Sequence, residues 1–247
     1  MEGVIRLARW AALTMDEVGH AAEALAVIPI GATEQHGPHL ATGTDTLLAE
    51  QVALAAAERT GDVVLPALAY GCSLGHTSRW PGTLSLNPAT MIAVLVEVGR
   101  WIHASGFRKL VMVNGHATNG PPCQSAILQL RHELPDLRPR FVSIFDLTAE
   151  IAARYREDAP DFHANEAETS MLLHLAADQV HLDRAVDEPD RTVDRVLQYP
   201  MPPVTRSGVV GTPSAATAER GKQLFGELVD ALGELLTKAR AERDPEL

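Results

Sequence analysis

The chain has 247 residues, of which 46% are hydrophobic, and its mean hydropathy is −0.02. That is enough apolar material for one sizeable α/β core, and no run approaches the ~18 apolar residues that a membrane helix needs. With 21 Lys+Arg against 32 Asp+Glu, the formal charge is −11. Such a chain is a poor partner for nucleic acid or an anionic membrane, because both require a clustered basic surface.

The cysteine content and the N-terminus indicate a compartment. Cys72 and Cys123 are the two cysteines, and they cannot build a disulfide framework. The N-terminal residues lack the basic and apolar regions of a secretory leader. We therefore expect a cytoplasmic protein.

Short apolar runs that predict strands alternate with patterns that predict helices. Strands are predicted at 25–30, 63–68, 109–113 and 140–145. Helices are predicted between them at 46–58, 88–104 and 122–133. The second and third of these helices begin at prolines, as helices often do. The alternation implies parallel crossovers, and so a three-layer α/β/α fold with a mainly parallel sheet in a single domain, 1–247.

Residues 185–213 break this alternation. They contain five prolines and little apolar periodicity, and they precede a last predicted helix at about 214–241. Because no second core is evident, we expect the segment to lie over the domain or to reach into a neighbouring subunit. The sequence leaves both arrangements open.

Potential metal ligands are concentrated directly after the first predicted strand. Glu34, His36, His39 and Asp45 lie within twelve residues. Glu34 and His36 are two residues apart, so in extended backbone both face the same side. Loops held by a rigid sheet are where catalytic groups usually lie. His39 could ligate a metal or support a ligand through an outer hydrogen bond.

Two further clusters add ligands. Asn114-Gly-His116 follows strand 109–113, and the carboxyl ends of parallel strands meet at one edge of a sheet. Asp161 to Ser170 contains His163, Glu166 and Glu168 and leads into an apolar helical run from Met171. Acidic residues in a first helical turn also suit the helix dipole, so these glutamates could simply cap the helix.

Taken together, the clusters supply a mixed set of nitrogen and oxygen ligands. The set is Glu34, His36, Asp45, His116 and one of the two glutamates. Such ligands suit Zn, Mn or Fe(II). Five protein ligands are too many for one open catalytic zinc, whereas two ions that share a bridging carboxylate would use them all. We assign the bridge to Asp45.

Five separated motifs resemble, in order, those of the creatininase (creatinine amidohydrolase) family. They are Gly31-Ala-Thr-Glu-Gln-His-Gly-Pro-His39, Thr44-Asp45-Thr46, Trp80-Pro-Gly-Thr-Leu-Ser85, Asn114-Gly-His116 with Asn119, and His163-Ala-Asn-Glu-Ala-Glu-Thr-Ser170. The resemblance implies an α/β/α subunit that often forms a hexamer, two divalent metal ions and hydrolysis of a non-peptide or cyclic C–N bond. It also implies that Glu34 and His116 hold one ion, His36 and a carboxylate the other, and that Asp45 bridges them.

The chain also departs from that family pattern. In creatininase itself the motif that contains Asn-Gly-His resembles Asn-Gly-His-x-Glu, and its glutamate binds the second ion. Thr118 occupies the position of that glutamate in this chain, so the fifth ligand must come from elsewhere. Other members, including formamide deformylases and a mycofactocin-precursor peptidase, have a motif similar to Glu168-Thr-Ser170 of this chain. This similarity points to Glu168 as the fifth ligand. The usual His-Ala-Gly has become His163-Ala-Asn165. None of the tryptophans (Trp10, Trp80, Trp101) lies beside 163–170, where creatininase encloses creatinine, so creatinine is not the expected substrate.

These patterns predict a metal-dependent amidohydrolase that acts on a small amide, lactam or formamide. We assign proton transfer to His163, with Glu166 as the second candidate, because both lie next to Glu168 and imidazole titrates near neutral pH. Four residues are assigned to the substrate pocket: His76, Trp80, Thr118 and Asn119. The alternatives are a metal-dependent peptidase of a modified peptide and a non-catalytic, metal-stabilised binding protein. A homo-oligomer is expected.

Overall fold

The computed structural model describes residues 8–245, and its centre is a five-stranded parallel sheet. The strands are β1 (Ala8–Arg9), β2 (Ala26–Ile30), β3 (Val63–Val64), β4 (Lys109–Asn114) and β5 (Arg138–Ser143), in the order β1-β3-β2-β4-β5. β2 and β4 pair along the whole of β2, from Ala26 opposite Leu110 to Ile30 opposite Asn114. Both strands therefore end at the same level.

Helices cover both faces of the sheet, which confirms the predicted three-layer α/β/α fold. The helices are α1 (Met15–His20), α2 (Thr44–Thr60), α3 (Pro88–Ala104), α4 (Gly120–Glu133), α5 (Ala149–Tyr155), α6 (Glu166–Leu175), α7 (Met201–Val204) and α8 (Ala218–Ala241). α3 and α4 pack together on one face, and α2, α6 and α8 pack on the other. Within residues 8–245, no helix is both long and apolar enough to span a membrane.

The alternation of side chains along β4 divides the core into two. Val111 and Val113 belong to the apolar cluster beneath α2, α6 and α8, whereas Leu110 and Met112 belong to the cluster beneath α3 and α4. Successive strand residues point to opposite faces, and both faces of a parallel sheet are covered, so β4 is apolar at every interior position. Because β4 is buried along its length, the polar residues that follow it lie at the carboxyl edge of the sheet.

Several element boundaries differ from the prediction. The strand predicted at 63–68 ends at Val64, because Pro66 has no N–H for the ladder, although Leu65 and Leu68 still donate to β2. The strand predicted at 140–145 is Arg138–Ser143, followed by a 3₁₀ turn. The last helix begins at Ala218, where the Thr217 side chain caps it.

The helix predicted at 46–58 begins two residues earlier, at Thr44. Asp45 therefore lies in its first turn and not in a loop. The helix predicted at 122–133 begins at Gly120. The helix that continues through the apolar run from Met171 begins at Glu166, so both glutamates lie in its first turn, where the sequence had suggested that they could lie. The sequence pattern marked the apolar residues of these helices, whereas the helices begin with residues outside that pattern, some of them buried, as Thr44 and Asp45 are.

The segment 185–213 lies over the carboxyl edge of its own subunit. A backbone pairing between His163 and Val210 holds it there, and a second pairing, between Glu188 and Gly211, joins the two ends of the segment itself. The loop before α3 also holds it, because Arg79 donates to the carbonyl of Pro202 (2.9 Å). Of the two arrangements left open by the sequence, the chain forms the first. We call residues 185–213 the cover segment.

Candidate metal centre

The candidate ligands come from four separate chain segments that meet at the carboxyl edge of the sheet. Two glycines allow the first turn of α2 to approach the ends of the central strands. A Cβ on Gly31 would lie 2.3 Å from Thr46 Cα, and one on Gly115 would lie 2.4 Å from the Asp45 carbonyl oxygen. Any larger residue would push α2 away. These close contacts bring Asp45 between the loops that follow β2 and β4.

The two carboxylate oxygens of Asp45 face two different histidines. His36 turns Nδ1 towards the Glu34 carbonyl oxygen (3.3 Å), which leaves Nε2 at 3.1 Å from Asp45 Oδ1. His116 Nδ1 lies 3.2 Å from Asp45 Oδ2 and 3.3 Å from Glu34 Oε1. A carboxylate with one oxygen directed to each of two nitrogen ligands has the arrangement that a bridge between two ions requires.

Glu168 enters this cluster from the start of α6. Asn165 caps that helix, since its side-chain oxygen accepts from the Glu168 N–H (3.2 Å), while its amide donates to the carbonyl of Tyr155 (2.8 Å). The left-handed residue of the turn is Ala164, with φ of 50°, and Asn165 has an ordinary φ of −86°. Asparagine in place of the usual glycine is therefore accommodated, and it aims the first turn of α6 at the site.

Burial and mutual charge shift the pKa values of these groups strongly. Burial acts to lower the pKa of His36, but the neighbouring Asp45 outweighs it and raises the value to about 10. Burial acts to raise the pKa of Asp45, yet His36 and His116 hold it well below its usual range. Burial raises the pKa of Glu168 to about 7. Without metal, the cluster thus retains protons on its histidines to balance its buried carboxylates.

The donor set fits divalent metal ions. Both oxygens of Glu34, Oδ2 of Asp45 and Oε2 of Glu168 are buried without a hydrogen bond of normal geometry. Such orphaned acceptors are costly unless a cation satisfies them. Three overlapping groups each bring one ligand atom per residue within 4.8 Å of the others: Glu34, His36 and Asp45; His36, His163 and Glu168; and Glu34, His76 and His163.

His163 lies against this cluster with a defined tautomer. Its Nε2 lies 2.8 Å from the Gln35 carbonyl oxygen and 3.1 Å from the Gln35 side-chain amide; we assign it as donor in the shorter contact, so Nδ1 carries the lone pair. Nδ1 lies 3.6 Å from Glu34 Oε1. Burial, and next His36 and His76, hold the pKa of His163 well below its usual range. The ring is thus a neutral acceptor that faces the candidate ligands.

Glu166 points away from the cluster. Its carboxylate pairs with Arg220 of α8 (2.8 Å) and accepts from the Ser170 hydroxyl (2.5 Å). It does not line the cavity beside the ligands and belongs to none of the three ligand groups. This geometry favours a role for Glu166 other than the predicted proton transfer, because its side chain joins α6 to α8. Its closeness to Glu168 in the sequence suggested proton transfer, because the sequence does not show which way the side chain faces.

A cavity of about 150 Å³ adjoins the candidate ligands, and it includes two of the four residues assigned to the substrate pocket. His76 and Thr118 line it, whereas Trp80 and Asn119 do not. Trp80 instead donates to the Arg206 carbonyl of the cover segment (3.2 Å). Asn119 links the strand-end loops, because it donates to the Gly31 carbonyl (3.0 Å).

Thr118 also has a role that the sequence did not indicate. Its hydroxyl lies 2.6 Å from His116 Nε2 and donates to the Cys72 carbonyl oxygen. The outer nitrogen of His116 is thereby occupied, and its Nδ1 is turned towards Glu34 and Asp45. Metal-binding histidines commonly have such an outer partner. His39 contacts the ligand helix in a similar way, through the Thr169 hydroxyl (3.0 Å), and belongs to no ligand group.

Gln35, between two of the candidate ligands, was not singled out from the sequence. Its side-chain amide donates to the Gly208 carbonyl (3.2 Å) and to His76 Nδ1 (3.3 Å). Successive residues of an extended chain face opposite ways, so Gln35 reaches the cover segment while Glu34 and His36 reach the candidate metal site. A lone glutamine carries no pattern that could have revealed this contact.

The fold and the site define a class: α/β proteins with a candidate metal site at the carboxyl ends of parallel strands. A family model described as creatinine amidohydrolase matches residues 11–236. The chain therefore belongs to the creatininase family.

Individual relatives differ in activity. A mycofactocin precursor peptide peptidase from Mycolicibacterium smegmatis is 33% identical over 91% of this chain and 89% of its own. The creatinine amidohydrolase of Pseudomonas putida is 34% identical over 85% of both chains. A solved mutant creatininase of Zn–Zn type superposes with a TM-score of 0.85 at 27% identity, covering 94% of this chain and 98% of that one. These relatives support a hydrolase.

Proposed function

We propose that this protein is a binuclear metal-dependent amidohydrolase that cleaves an amide C–N bond of a small molecule other than creatinine. The observation that carries the proposal is Asp45, whose two oxygens face the two histidines His36 and His116 at 3.1 and 3.2 Å. Glu34 would complete one site with His116, and Glu168 the other with His36. The neighbouring solved structure of Zn–Zn type supports zinc, and the ligand chemistry also suits Mn and Fe.

Two divalent ions, when bound, supply a Lewis acid and lower the pKa of water towards neutrality. The chain's own residues supply the proton transfer and the shape of the site. His163 is held by the Gln35 carbonyl with Nδ1 free, so that it can accept a proton and deliver it to the leaving nitrogen. The cover segment limits the entry of water, because Tyr199, Pro200 and Met201 line the cavity.

Metal analysis of variants tests the proposal. The protein should bind close to two divalent ions per chain, and Asp45→Asn should lose both together with activity. Asp62→Asn is the matched control, because Asp62 is equally buried but accepts from the Leu25 N–H, away from the site. At most one ion in the parent protein, or two ions retained in Asp45→Asn, would overturn the binuclear assignment.

The His163→Ala variant tests proton transfer separately. It should keep both ions and lose turnover by about 10²–10⁴-fold, the usual contribution of a general acid or base. Loss of an ion from His163→Ala would instead make His163 a ligand, which its place in two of the three ligand groups would permit.

The cavity supports exclusion of creatinine. The position occupied in creatininase by a metal-binding glutamate is Thr118, which here holds His116. None of the three tryptophans lines the cavity among residues 8–245. Steady-state assays should therefore show hydrolysis of formamides, lactams or linear amides well above hydrolysis of creatinine. Comparable activity on creatinine at physiological concentration would refute this part.

A peptidase is the second candidate function. It is favoured by the 33% identity to a mycofactocin precursor peptide peptidase and by an apolar strip of the cover segment. Val196, Leu197 and Tyr199 of that strip are 96%, 71% and 47% exposed, and Tyr199 also lines the cavity. Assays on short peptides alongside small amides would decide between the two. Two bound ions with no turnover on either class would favour a non-catalytic binding protein.

Assembly and location belong to the same proposal. We expect a cytoplasmic homo-oligomer, and the family resemblance suggests a hexamer. Trp101 and Leu128, on the outer faces of α3 and α4, are 70% and 67% exposed, which is the kind of surface that association buries. Light scattering of the purified protein would measure the subunit number, and a monomer would refute the expectation.

A further inference from the structure

An unpaired carboxylate stands at the wall of the candidate active-site cavity. Asp161 lines this cavity, two residues before His163. Its backbone N–H donates to Asp190 (2.9 Å), but within residues 8–245 its own carboxylate has no hydrogen bond or ion pair. Asp161 is exposed at the surface, but desolvation of its carboxyl, and then the charge of Asp190, raise its pKa. Nothing in the metal chemistry uses this group.

The rest of the wall suits a positively charged group. Phe145, Phe162 and Tyr199 line the cavity together with Asp161. Phe145 and Phe162 meet edge to face, with ring centroids 5.8 Å apart. Aromatic faces attract cations, most strongly where water is partly excluded. An aromatic wall with one free carboxylate therefore resembles a site for an amine or a guanidine.

Positive side chains that could bind an anionic substrate do not line this cavity. Among residues 8–245, no lysine or arginine belongs to its wall. Arg156 lies over the Phe162 ring, 5.8 Å from its centroid, but its guanidinium is paired with Asp146 (2.9 Å). A carboxylate or phosphate beside Asp161 would consequently meet a like charge and find no basic side chain to balance it.

We propose that Asp161 makes this pocket selective for amides that carry a positively charged group, such as an ammonium, close to the scissile bond. Two residues of backbone span at most roughly 6–7 Å, and both side chains line the same cavity, so the charge would lie a few bonds from the carbonyl beside His163. The inference rests on the proposed metal centre, and it specifies the substrate class for that centre. Asp161 acts on substrate choice and not on the chemical step.

Binding of hydroxamic acids tests the proposal without turnover, because hydroxamates bind to the metal ions themselves. The probes are β-alanine hydroxamate, butyrohydroxamate and succinic monohydroxamate, which differ only in an ammonium, methyl or carboxylate end. Titration calorimetry on zinc-loaded protein should show about 5- to 10-fold tighter binding of the ammonium compound than of the methyl compound. The carboxylate compound should bind most weakly.

The Asp161→Asn variant should bind the ammonium and methyl compounds within about twofold of each other, the methyl compound being bound as in the parent protein. Asp178→Asn, which removes an exposed carboxylate outside the cavity, should keep the full preference. Equal binding of all three probes to the parent protein, or an undiminished preference in Asp161→Asn, would overturn the proposal. If protein with two zinc ions binds none of the probes, the proposal fails while the metal centre stands. Protein that binds no zinc would refute the proposed function as well.

Discussion

Glu166 and Glu168, in the first turn of α6, provide the sharpest test of the site. They are two residues apart in the sequence, but one side chain has charged and polar partners and the other has none at its buried Oε2. Glu168 Oε2 is buried without a hydrogen bond, whereas Glu166 is paired with Arg220 and Ser170. We expect Glu168→Gln to weaken the second ion by at least the 10- to 100-fold that loss of an outer-shell partner costs. Glu166→Gln should leave metal affinity near that of the parent protein.

The effects on stability should have the reverse order, with Glu166→Gln the more destabilising of the two variants. Glu166→Gln weakens charged hydrogen bonds, and Arg220 is 42% exposed, so solvent screening limits the loss to about 1–2 kcal/mol. For a chain of this size, that corresponds to a fall of roughly 2–8 °C in the melting temperature. Glu168→Gln should change the melting temperature of metal-free protein less, because no hydrogen bond to Oε2 is lost.

Competition with a chromophoric chelator measures the metal affinity of both variants, and calorimetry in EDTA measures their stability without metal. The two assays should separate the variants in opposite directions. If Glu166→Gln loses an ion and Glu168→Gln keeps both, the assignment of the two residues is reversed and the reasoning from side-chain direction is wrong.

Three further predictions concern the surroundings of the site. Removal of metal by EDTA should lower the melting temperature and added Zn²⁺ should restore it, because an ion at 100 times its Kd stabilises the fold by about 2.7 kcal/mol; no change would argue against a metal site. Burial acts to raise the pKa of Glu188, but hydrogen bonds from Ser207, Thr205 and Arg206 hold it at about 2. Because this value lies below that of an unfolded glutamate, Glu188 stabilises the fold fully above pH ~4.5 and loses its contribution as the pH falls towards 2. Glu188→Gln should therefore lower the free energy of unfolding by about 1.5–3 kcal/mol at pH 7, and urea titrations should show the difference shrinking below pH 4.5; a constant difference would contradict this. Gln35→Met should keep the metal ions but slow turnover by roughly tenfold, since it removes the amide that links His76 to the cover segment; unchanged kinetics would exclude that role.

The predictable part of the structure is the part that periodicity governs. The alternation of apolar runs and helical patterns specifies a parallel sheet, because both faces of each strand must be covered. It also places the loops after β2 and β4 at one edge. The start of α2 was misplaced because the residues of its first turn, Thr44 and Asp45, are buried but polar. Apolar periodicity cannot mark such a turn.

Side-chain direction is what the sequence could not provide. Glu166 and Glu168 are equivalent by composition, and only the packing of α6 against α8 assigns one of them to Arg220. Asn119 belongs to a family motif and serves the connection between loops. Gln35 lies inside a recognisable motif, yet its partner Gly208 is 173 residues away. Contacts over such separations depend on the completed fold and leave no local pattern.

The two glycines beneath α2 also affect the protein's tolerance of mutation. Neither Gly31 nor Gly115 has a side chain that could bind a metal, but any Cβ there would meet backbone atoms of α2. Substitution of either one displaces Asp45 without altering a single ligand. In a saturation-mutagenesis screen scored for metal-dependent growth or activity, these positions should be as intolerant as the ligands themselves. Loss of function would then identify two residues that the site requires because they lack a side chain.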